Sequence, residues 1–454
     1  MEPLWTVNGL TVISVYNSRN YFTMIRILIA CLVITQATYA QKYKFDFGAG
    51  PVASGYLKVE PTTRYDSVKG YGFLPGSSIQ GFYAVRKIRD YCTSSLPFFF
   101  AVDLPEGNYD VELLLGDEQG ASVTTVKAES RRLMAEHIQT PVRKVIKKIF
   151  TVNIRTPHIS STERVKLKPR EVNSFTWDNR LTFEFLDEVP KIAALEIRPN
   201  QKATTIFLAG NSTVVDQANE PFAAWGQMIP AFFKPHTIAV ANHAESGESL
   251  RSFLAEKRLA KIMKSIRPGD YFFIEFAHND QKQSDLRPFV EYKALLKTFI
   301  DSARTKGAYP VLVTSMHRRR FDESGHIINT LGDFPEAMRQ TAGEQQVPLI
   351  DLNAMSKTLW EALGPAQSRK AFIHYPAGSF PGQNEELNDD THFSNYGAYL
   401  LALCVTKGLR EAVPVLAKEL QDNLPAFDPA YPVLPEQWKF PVSSRASIHK
   451  PEGN

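Results

Sequence analysis

The chain has 454 residues, of which 43% are hydrophobic and 22% are charged, and its formal net charge is +4 at pH 7. A single hydrophobic core stops growing at about 250 to 300 residues, so a chain of this length is expected to form two domains. The composition is typical of a folded globular protein, and so small a net charge does not favour a nucleic-acid partner. After residue 40, no apolar stretch is long enough to span a membrane.

Residues 1–40 have the pattern of a targeting segment preceded by extra sequence. Residues 24–34 form a short charged end followed by an apolar run. This order is typical of a secretory signal peptide, here cleaved before Gln41. Since a signal peptide begins close to its methionine, residues 1–23 are interpreted as an over-extended gene start. We therefore expect a secreted or periplasmic protein.

Residues 41–200 offer short strands separated by turns and almost no helical periodicity. The strand candidates are 98–104, 109–115, 149–154, 181–185 and a closing strand at 192–197. This rhythm predicts an all-β domain, either a β-sandwich or a jelly roll. Residues 198–202 are expected to link it to the next domain.

Strands and helices alternate from residue 203 to about 423. The strand candidates are 204–209, 237–241, 271–276, 310–315 and 348–352, and the helix candidates are 223–233, 250–266, 289–306, 335–345, 356–363 and 395–412. Ser394 is expected to cap the last helix, and Asp351 is expected to cap the helix after the fifth strand. Five apolar strands with helical crossovers predict a doubly wound parallel sheet, an α/β fold that binds ligands at the C-terminal strand ends. Residues 424–454, with several prolines and no periodicity, should lie extended over the surface.

Three polar residues have the spacing of a nucleophile, a base and an acid. Ser212 follows the first strand of the predicted sheet, and Asp389 precedes His392 by three residues, shortly before the last helix. Such an aspartate can accept the imidazole Nδ1 proton and leave Nε2 free to take a proton from a serine hydroxyl. We therefore predict a triad of Ser212, His392 and Asp389. Two alternatives stay open: Asp390 is a second candidate for the acid, and a serine in this position can also simply cap a helix.

Two further residues are expected at the same edge of the sheet. Gly247 follows the second strand, where a glycine lets the backbone N–H approach a substrate closely. Asn279 follows the third strand and offers a side-chain amide donor. Together with the backbone N–H of Ser212, they predict an oxyanion hole with three donors.

These residues resemble those of a known superfamily. Ser212, Gly247, Asn279 and His392 match in order and spacing the four residues that name the SGNH (GDSL-type) hydrolases. The resemblance implies a flavodoxin-like sheet of five parallel strands. It also implies that Ser212 attacks an ester carbonyl, that His392 transfers the proton and that Asp389 orients the imidazole. Such an enzyme requires no metal and no organic cofactor.

A narrower resemblance is to bacterial rhamnogalacturonan acetylesterases. It rests on the segments GNSTVVD at 210–216, WGQ at 225–227 and DDTHFSNYGA at 389–398. The N-terminal domain resembles a galactose-binding-like, carbohydrate-binding jelly roll through FDFG at 45–48 and the closing strand.

Two positions depart from the family pattern. The family usually has aspartate where Asn211 stands and glycine where Ala277 stands. Neither position supplies the nucleophile or the base, so activity is expected, while the fit to a substrate is left open.

Two basic segments are candidates for contact with an acidic substrate. Arg318, Arg319 and Arg320 follow the fourth strand, where a guanidinium could bind a galacturonate carboxylate through two hydrogen bonds. Residues 127–170 hold 12 Lys or Arg and 3 Glu, an excess that an anionic polysaccharide such as pectin could use. The alternative in both cases is a solvated, charged surface.

The combined hypothesis is a two-domain carbohydrate esterase that removes acetyl groups from rhamnogalacturonan or a related pectic polysaccharide or oligosaccharide. One alternative is an SGNH esterase that acts on acetylated xylan, on another glycan or on a lipid acyl ester. A second alternative, motivated by Asn211 and Ala277, is a carbohydrate-binding protein whose hydrolase half has lost its activity.

Overall fold

The computed structural model describes residues 43–76, 78–83 and 90–452. The predicted signal peptide and the over-extended start before it lie outside the described residues. Across the described ranges, no helix is both long and apolar enough to cross a membrane. An all-β unit comes first along the chain and an α/β unit follows it.

The N-terminal unit is a β-sandwich, as predicted. Its strands are β1 (Lys44–Phe47), β2 (Leu57–Val59), β3 (Tyr71–Phe73), β4 (Gln80–Phe82), β5 (Tyr91–Thr93), β6 (Phe98–Asp103), β7 (Gly107–Leu115), β8 (Ser122–Ala128), β9 (Arg132–Thr140), β10 (Ile146–Ile154), β11 (Arg180–Leu186), β12 (Lys191–Ile192) and β13 (Ala194–Pro199). They form one sheet of order β10-β7-β13-β1-β2, a second of order β3-β6-β11-β8-β9 and a small third sheet, β12-β5-β4. Neighbouring strands are antiparallel except for the parallel pair β1 and β2.

Apolar side chains from the two large sheets meet in one core. Along β7, buried and partly exposed residues alternate, as expected of a strand with one buried face. The rings of Phe45 and Phe47, from the first sheet, lie 5.4 and 5.0 Å from the ring of Phe100, from the second. This packing confirms the predicted sandwich.

The second unit is built on a parallel sheet of five strands, which confirms the predicted fold class. The strands are β14 (Thr204–Ala209), β15 (Ile238–Asn242), β16 (Tyr271–Ile274), β17 (Tyr309–Val313) and β18 (Leu349–Ile350), in the order β15-β14-β16-β17-β18. Ile206 and Leu208 join one hydrophobic core and Phe207 joins another, so both faces of the sheet are covered. The order changes direction at β14, and α/β folds of this kind bind ligands at such a switch point.

The helices of this unit are α1 (Trp225–Met228), α2 (Leu250–Ala255), α3 (Arg258–Ser265), α4 (Lys293–Thr305), α5 (Phe334–Gln345), α6 (Leu352–Gln367), α7 (Asn395–Ala412) and α8 (Pro414–Ala417). Single 3-10 turns lie at Pro169–Glu171, Ile229–Phe232, Asp280–Lys282, Ser368–Ala371 and Pro435–Gln437, and a π-helical turn at Pro288–Tyr292 leads into α4. The prediction of one helix over 250–266 is wrong, because Lys257 adopts a left-handed conformation, φ 63°, that separates α2 from α3. The bounds of α7 are those predicted, and Ser394 Oγ accepts a hydrogen bond from Gly397 N–H at 3.3 Å.

A β-hairpin that the sequence analysis does not predict precedes α7. Its strands are β19 (Phe372–Tyr375) and β20 (Leu387–Phe393), which pair antiparallel. Asp389 and His392 therefore lie on a strand, and not on an irregular loop. The hairpin fixes the backbone of both residues.

Four of the twelve cations in the basic segment 127–170 have a role that differs from both of those predicted, whereas most of the others, such as Arg143, Lys144 and Lys147, are exposed, as expected of a solvated, charged surface. Lys127, Arg131, Arg132 and Arg155 are buried, so neither solvent nor a polysaccharide can contact them. Arg132 donates to Asp216 Oδ2 at 2.7 and 3.1 Å, and Asp216 belongs to the α/β unit. A buried cation needs such a partner, and these residues join the two units.

The tail after α8 runs over both units. The Trp438 ring packs on Tyr396 and Tyr399, with ring centroids 5.5 and 5.4 Å apart. Further along, the Ser443 backbone N–H donates to Glu220 Oε1 at 3.0 Å. At its far end, Lys450 Nζ lies 3.4 Å from Asp389 Oδ2. The tail therefore ends beside the predicted triad.

Candidate active site

Ser212 lies directly beyond the C-terminal end of β14 and is buried. The backbone N–H groups of Val214 and Val215 both donate to the Asn211 carbonyl, which forms a tight turn around the serine. The next helix, α1, begins at Trp225, two residues after the predicted start at 223. The turn therefore fixes Ser212.

Hydrogen bonds join the three residues of the predicted triad. His392 Nε2 lies 3.0 Å from Ser212 Oγ, and His392 Nδ1 lies 2.7 Å from Asp389 Oδ2. The other carboxylate oxygen of Asp389 accepts the backbone N–H groups of Thr391 and His392, at 2.8 and 3.1 Å. The carboxylate therefore faces the imidazole in a fixed orientation.

The structure distinguishes the two adjacent aspartates. Asp390 accepts from Arg319 at 3.0 Å and lies 2.8 Å from His374 Nε2, so its side chain faces away from His392. Burial of Asp389 opposes its ionisation, but the hydrogen bond and the charge of His392 outweigh burial and hold the pKa of Asp389 below its ordinary value. Asp389 is therefore the ionised partner of the imidazole.

The two predicted oxyanion donors flank Ser212 across the sheet. Because β14 lies between β15 and β16, the loops that carry Gly247 and Asn279 emerge on either side of the serine. Gly247 has φ +82°, a conformation that glycine adopts without strain. One N–H of the Asn279 amide donates to the Glu248 carbonyl at 2.9 Å, which ties the two loops together. Its second N–H can therefore serve another acceptor.

Sequence reasoning missed a network of buried polar groups, centred on Glu275, that contacts the turn carrying Ser212. The buried carboxyl of Glu275, directly after β16, accepts from Trp225 Nε1 at 2.9 Å and from Ser315 Oγ at 2.8 Å. Thr213 Oγ1 donates to the same carboxyl at 3.2 Å. Burial raises the pKa of Glu275 to about 7. Only the segment WGQ at 225–227 pointed to this network, through the family resemblance.

The departures at Asn211 and Ala277 have small local effects. Asn211 Oδ1 accepts from the backbone N–H and the hydroxyl of Thr213, at 3.1 and 2.8 Å, which an aspartate could also do. Its buried Nδ2 has no hydrogen-bond partner within the described ranges of the chain. Ala277 packs its methyl group in the core on one face of the sheet. Neither side chain blocks the serine.

The three arginines after β17 differ in their surroundings. Arg318 Nε donates to Thr391 Oγ1 at 3.2 Å, and its charge acts on Asp389. Arg319 is engaged with Asp390, and Arg320 is exposed. Of the three, Arg318 lies nearest the triad.

A cavity of about 400 Å³ lies between the two units and the tail, and two of its lining residues, Phe222 and Lys450, contact His392 and Asp389. Arg170 and Trp177 line it from the β-sandwich, Phe222 and Glu245 from the α/β unit, and Lys450 from the tail. The Phe222 ring packs edge-on against His392, with ring centroids 5.9 Å apart. A cavity of this size falls within the usual range of small-molecule binding sites.

A serine, a histidine and an aspartate joined in this order at the C-terminal edge of a parallel sheet define the serine-hydrolase class. Two family models match the chain: "Beta-agarase/YXIM esterase-like, galactose-binding domain-like" over residues 43–131 and "GDSL-like Lipase/Acylhydrolase" over residues 206–405. The chain belongs to the GDSL-like lipase/acylhydrolase family. It is a serine ester hydrolase with a galactose-binding-like domain at its N-terminal side, which confirms the resemblance to SGNH hydrolases.

Three relatives come from Bacillus subtilis strain 168. The chain is 43% identical over 226 residues to rhamnogalacturonan acetylesterase RhgT, covering 49% of this chain and 95% of that protein. It is 36% identical over 216 residues to the probable rhamnogalacturonan acetylesterase YesY, covering 46% and 94%. The uncharacterized esterase YxiM is 28% identical over 344 residues, covering 73% and 85%. The crystal structure of YxiM gives a TM-score of 0.43 at 25% identity, covering 81% of this chain and 98% of that one.

Proposed function

We propose that this protein is a carbohydrate esterase that removes acetyl groups from rhamnogalacturonan or a related pectic polysaccharide. The observation that carries the proposal is the hydrogen-bonded chain from Ser212 through His392 to Asp389. The substrate class is supported by the 43% identity to a rhamnogalacturonan acetylesterase. Secretion or export to the periplasm, through a signal peptide cleaved before Gln41, fits a polymeric substrate outside the cell and is part of the proposal.

In the proposed mechanism, Ser212 Oγ attacks the acetyl carbonyl carbon while His392 Nε2 takes the hydroxyl proton. The negative charge that develops on the carbonyl oxygen is stabilised by the N–H groups of Ser212 and Gly247 and by the Asn279 amide. Collapse of this tetrahedral intermediate breaks the ester bond, and His392 gives the proton to the sugar oxygen that leaves. Asp389, ionised beside the imidazole, stabilises the imidazolium throughout.

The acetylated serine is then hydrolysed by the same groups in reverse order. His392 takes a proton from water, and the hydroxide oxygen attacks the acetyl carbon. Collapse of the second tetrahedral intermediate breaks the bond to Ser212 Oγ, which takes the proton from His392, and releases acetic acid, which loses its proton to solvent as acetate. Every step uses side chains and backbone groups of this chain.

Acetate release from acetylated rhamnogalacturonan, by wild type and by Ser212→Ala, tests the proposal. Acetylated xylan is the matched second substrate. The proposal expects release from rhamnogalacturonan by wild type only, with xylan hydrolysed more slowly. Faster hydrolysis of acetylated xylan would show that the assignment of a pectic substrate is wrong, while the assignment as an esterase would stand.

A second measurement tests the catalytic chemistry itself. A fluorophosphonate probe should label wild type at Ser212 and leave Ser212→Ala unlabelled. Failure of the folded wild type to react would overturn the catalytic proposal. It would favour a binding protein without activity instead.

A further inference from the structure

We propose that Lys168 and Arg170, from the β-sandwich domain, are positioning residues for the oxyanion hole of the catalytic domain. They would hold the peptide group between Ser246 and Gly247 so that its N–H faces the substrate. The inference rests on the proposed role of Gly247 as an oxyanion donor. It makes the N-terminal domain part of the catalytic apparatus.

Both cations bind the same carbonyl oxygen. Lys168 Nζ and Arg170 Nη2 each donate to the Ser246 carbonyl, at 2.7 Å. That carbonyl and the Gly247 N–H belong to one planar trans peptide group, in which they point in opposite directions. Two donors on the oxygen therefore fix the plane of the peptide and direct the N–H to the other side.

The charges of the two donors also act on the N–H. Hydrogen bonds from charged groups are shorter and stronger than neutral ones, and a carbonyl that accepts them polarises its amide. The Gly247 N–H then becomes a stronger donor to a developing oxyanion. This effect operates on the reaction rate and needs no contact between either cation and the substrate.

Carboxylates hold both cations in place. Arg170 donates to Glu245 Oε1 at 2.9 Å through Nε and at 2.8 Å through Nη2. Lys168 forms an ion pair with Glu248, whose own backbone carbonyl accepts the Asn279 amide. The Lys168 side chain is 15% exposed and the Arg170 side chain 34%, so it is mainly these ion pairs that restrict Arg170 to this geometry.

The turn that carries both cations is anchored to the catalytic domain. Glu171, the last residue of the 3-10 turn, accepts from Arg258 Nη1 at 3.0 Å and from Trp177 Nε1 at 2.8 Å. Arg258 is fully buried at the start of α3. The position of Lys168 and Arg170 relative to Gly247 is therefore set by a rigid interface between the domains.

The test measures kcat and KM of the full chain on a neutral aryl acetate. Because this substrate carries no charge, Lys168 and Arg170 cannot change its binding by direct electrostatic attraction. Lys168→Met and Arg170→Met are each expected to lower kcat about tenfold with KM changed less than twofold, and the double variant about a hundredfold. The rate of Ser212 labelling by a fluorophosphonate should fall in parallel, because that reaction also develops charge in the oxyanion hole. Lys166→Met, an exposed lysine two residues away, is the matched control and should keep the wild-type rate.

Conservative variants separate positioning from folding. Arg170→Lys and Lys168→Arg keep a donor for the Ser246 carbonyl and should stay within about threefold of wild type. A wild-type kcat in the folded double variant, or a rise of KM alone, would overturn the inference. If the double variant does not fold, a conservative variant as slow as its methionine counterpart would overturn it as well.

Asn279→Ala distinguishes failure of this inference from failure of the proposed oxyanion hole. If that variant loses kcat while the methionine variants do not, only the role of Lys168 and Arg170 is wrong. If neither Asn279→Ala nor the methionine variants lose kcat, the oxyanion hole itself is wrongly assigned.

Discussion

His392 Nε2 lies 3.0 Å from Ser212 Oγ, although 180 residues separate the two along the chain. The serine is fixed by the turn after β14, and the histidine is fixed by the β19–β20 hairpin. Neither residue depends on a flexible loop for its position. Pre-organisation of this kind lowers the barrier because no reordering is needed when the substrate arrives.

Asp389→Asn should lower kcat by about 10⁴, because an asparagine can hold the imidazole in the wrong tautomer and cannot stabilise its positive charge. Asp390→Asn is the matched control, since Asp390 faces Arg319 and His374. It should stay within about threefold of wild type on an aryl acetate. Steady-state kinetics on both variants check this, and equal losses would show that the acid is wrongly assigned.

Asn279→Ala should lower kcat by about 10² to 10³ with the fold intact, as expected for the loss of one oxyanion donor. The matched control is Asn329→Ala, which removes the amide of an exposed asparagine outside the site. Turnover of an aryl acetate and thermal unfolding should be measured on both. Wild-type turnover by Asn279→Ala would remove that residue from the mechanism.

Arg318→Ala tests the hypothesis that Arg318 binds a uronate carboxylate. Loss of one charged hydrogen bond should then raise KM about tenfold on acidic oligosaccharides and leave KM on a neutral aryl acetate unchanged. Arg320→Ala is the matched control, since Arg320 is exposed and follows the same strand. The measurement is KM of both variants on the acidic oligosaccharide and on the neutral aryl acetate. An equal effect of Arg318→Ala on the two substrates would contradict a carboxylate contact.

The free energy of unfolding of Glu275→Gln should rise relative to that of wild type as the pH increases from about 5 to 8. Burial raises the pKa of Glu275 to about 7, so the folded state favours the neutral carboxyl. This stabilisation is complete below the unfolded pKa and is lost as the pH rises through about 7, a change of roughly 3 kcal/mol.

The glutamine of this variant does not titrate, so the difference in the free energy of unfolding between variant and wild type should grow with pH. Urea unfolding at pH 5 and pH 8 measures it. Glu245 and Asp280, whose pKa values burial also raises to about 7, titrate in both proteins and cancel in the comparison. A difference independent of pH would show that Glu275 is ionised throughout this range.

Periodicity and caps predicted much of the α/β unit. The apolar, β-branched run of β14 and the amphipathic pattern of α7 after Ser394 gave the same bounds in sequence and structure. The three triad residues were predicted from their spacing and from the family resemblance, and hydrogen bonds join them in the structure. Local patterns of this kind carry enough information because the segments concerned are long and regular.

The features of the fold and of the site that were not predicted depend on contacts between segments that are distant in the sequence. The helix break between α2 and α3 is made by Lys257, a single left-handed residue that is not a glycine and so gives no sequence signal. Strand β20 carries too many polar residues to be recognised as a strand. Lys168 and Arg170 look like ordinary surface cations until the second domain is placed against them. The same holds for buried Arg131 and Arg132, which pair with Glu220 and Asp216 of the other domain.

The interface between the domains makes each domain depend on the other for the pairing of its buried charges. The buried guanidinium of Arg258 binds Glu171 of the sandwich, and the buried guanidinium of Arg132 binds Asp216 of the catalytic domain. Breaking a buried ion pair by removing one partner costs about 3 to 5 kcal/mol, a large share of the stability of a typical domain. Either domain of this chain, joined to a neighbour without these partners, would therefore keep a buried charge with no counter-ion and lose stability.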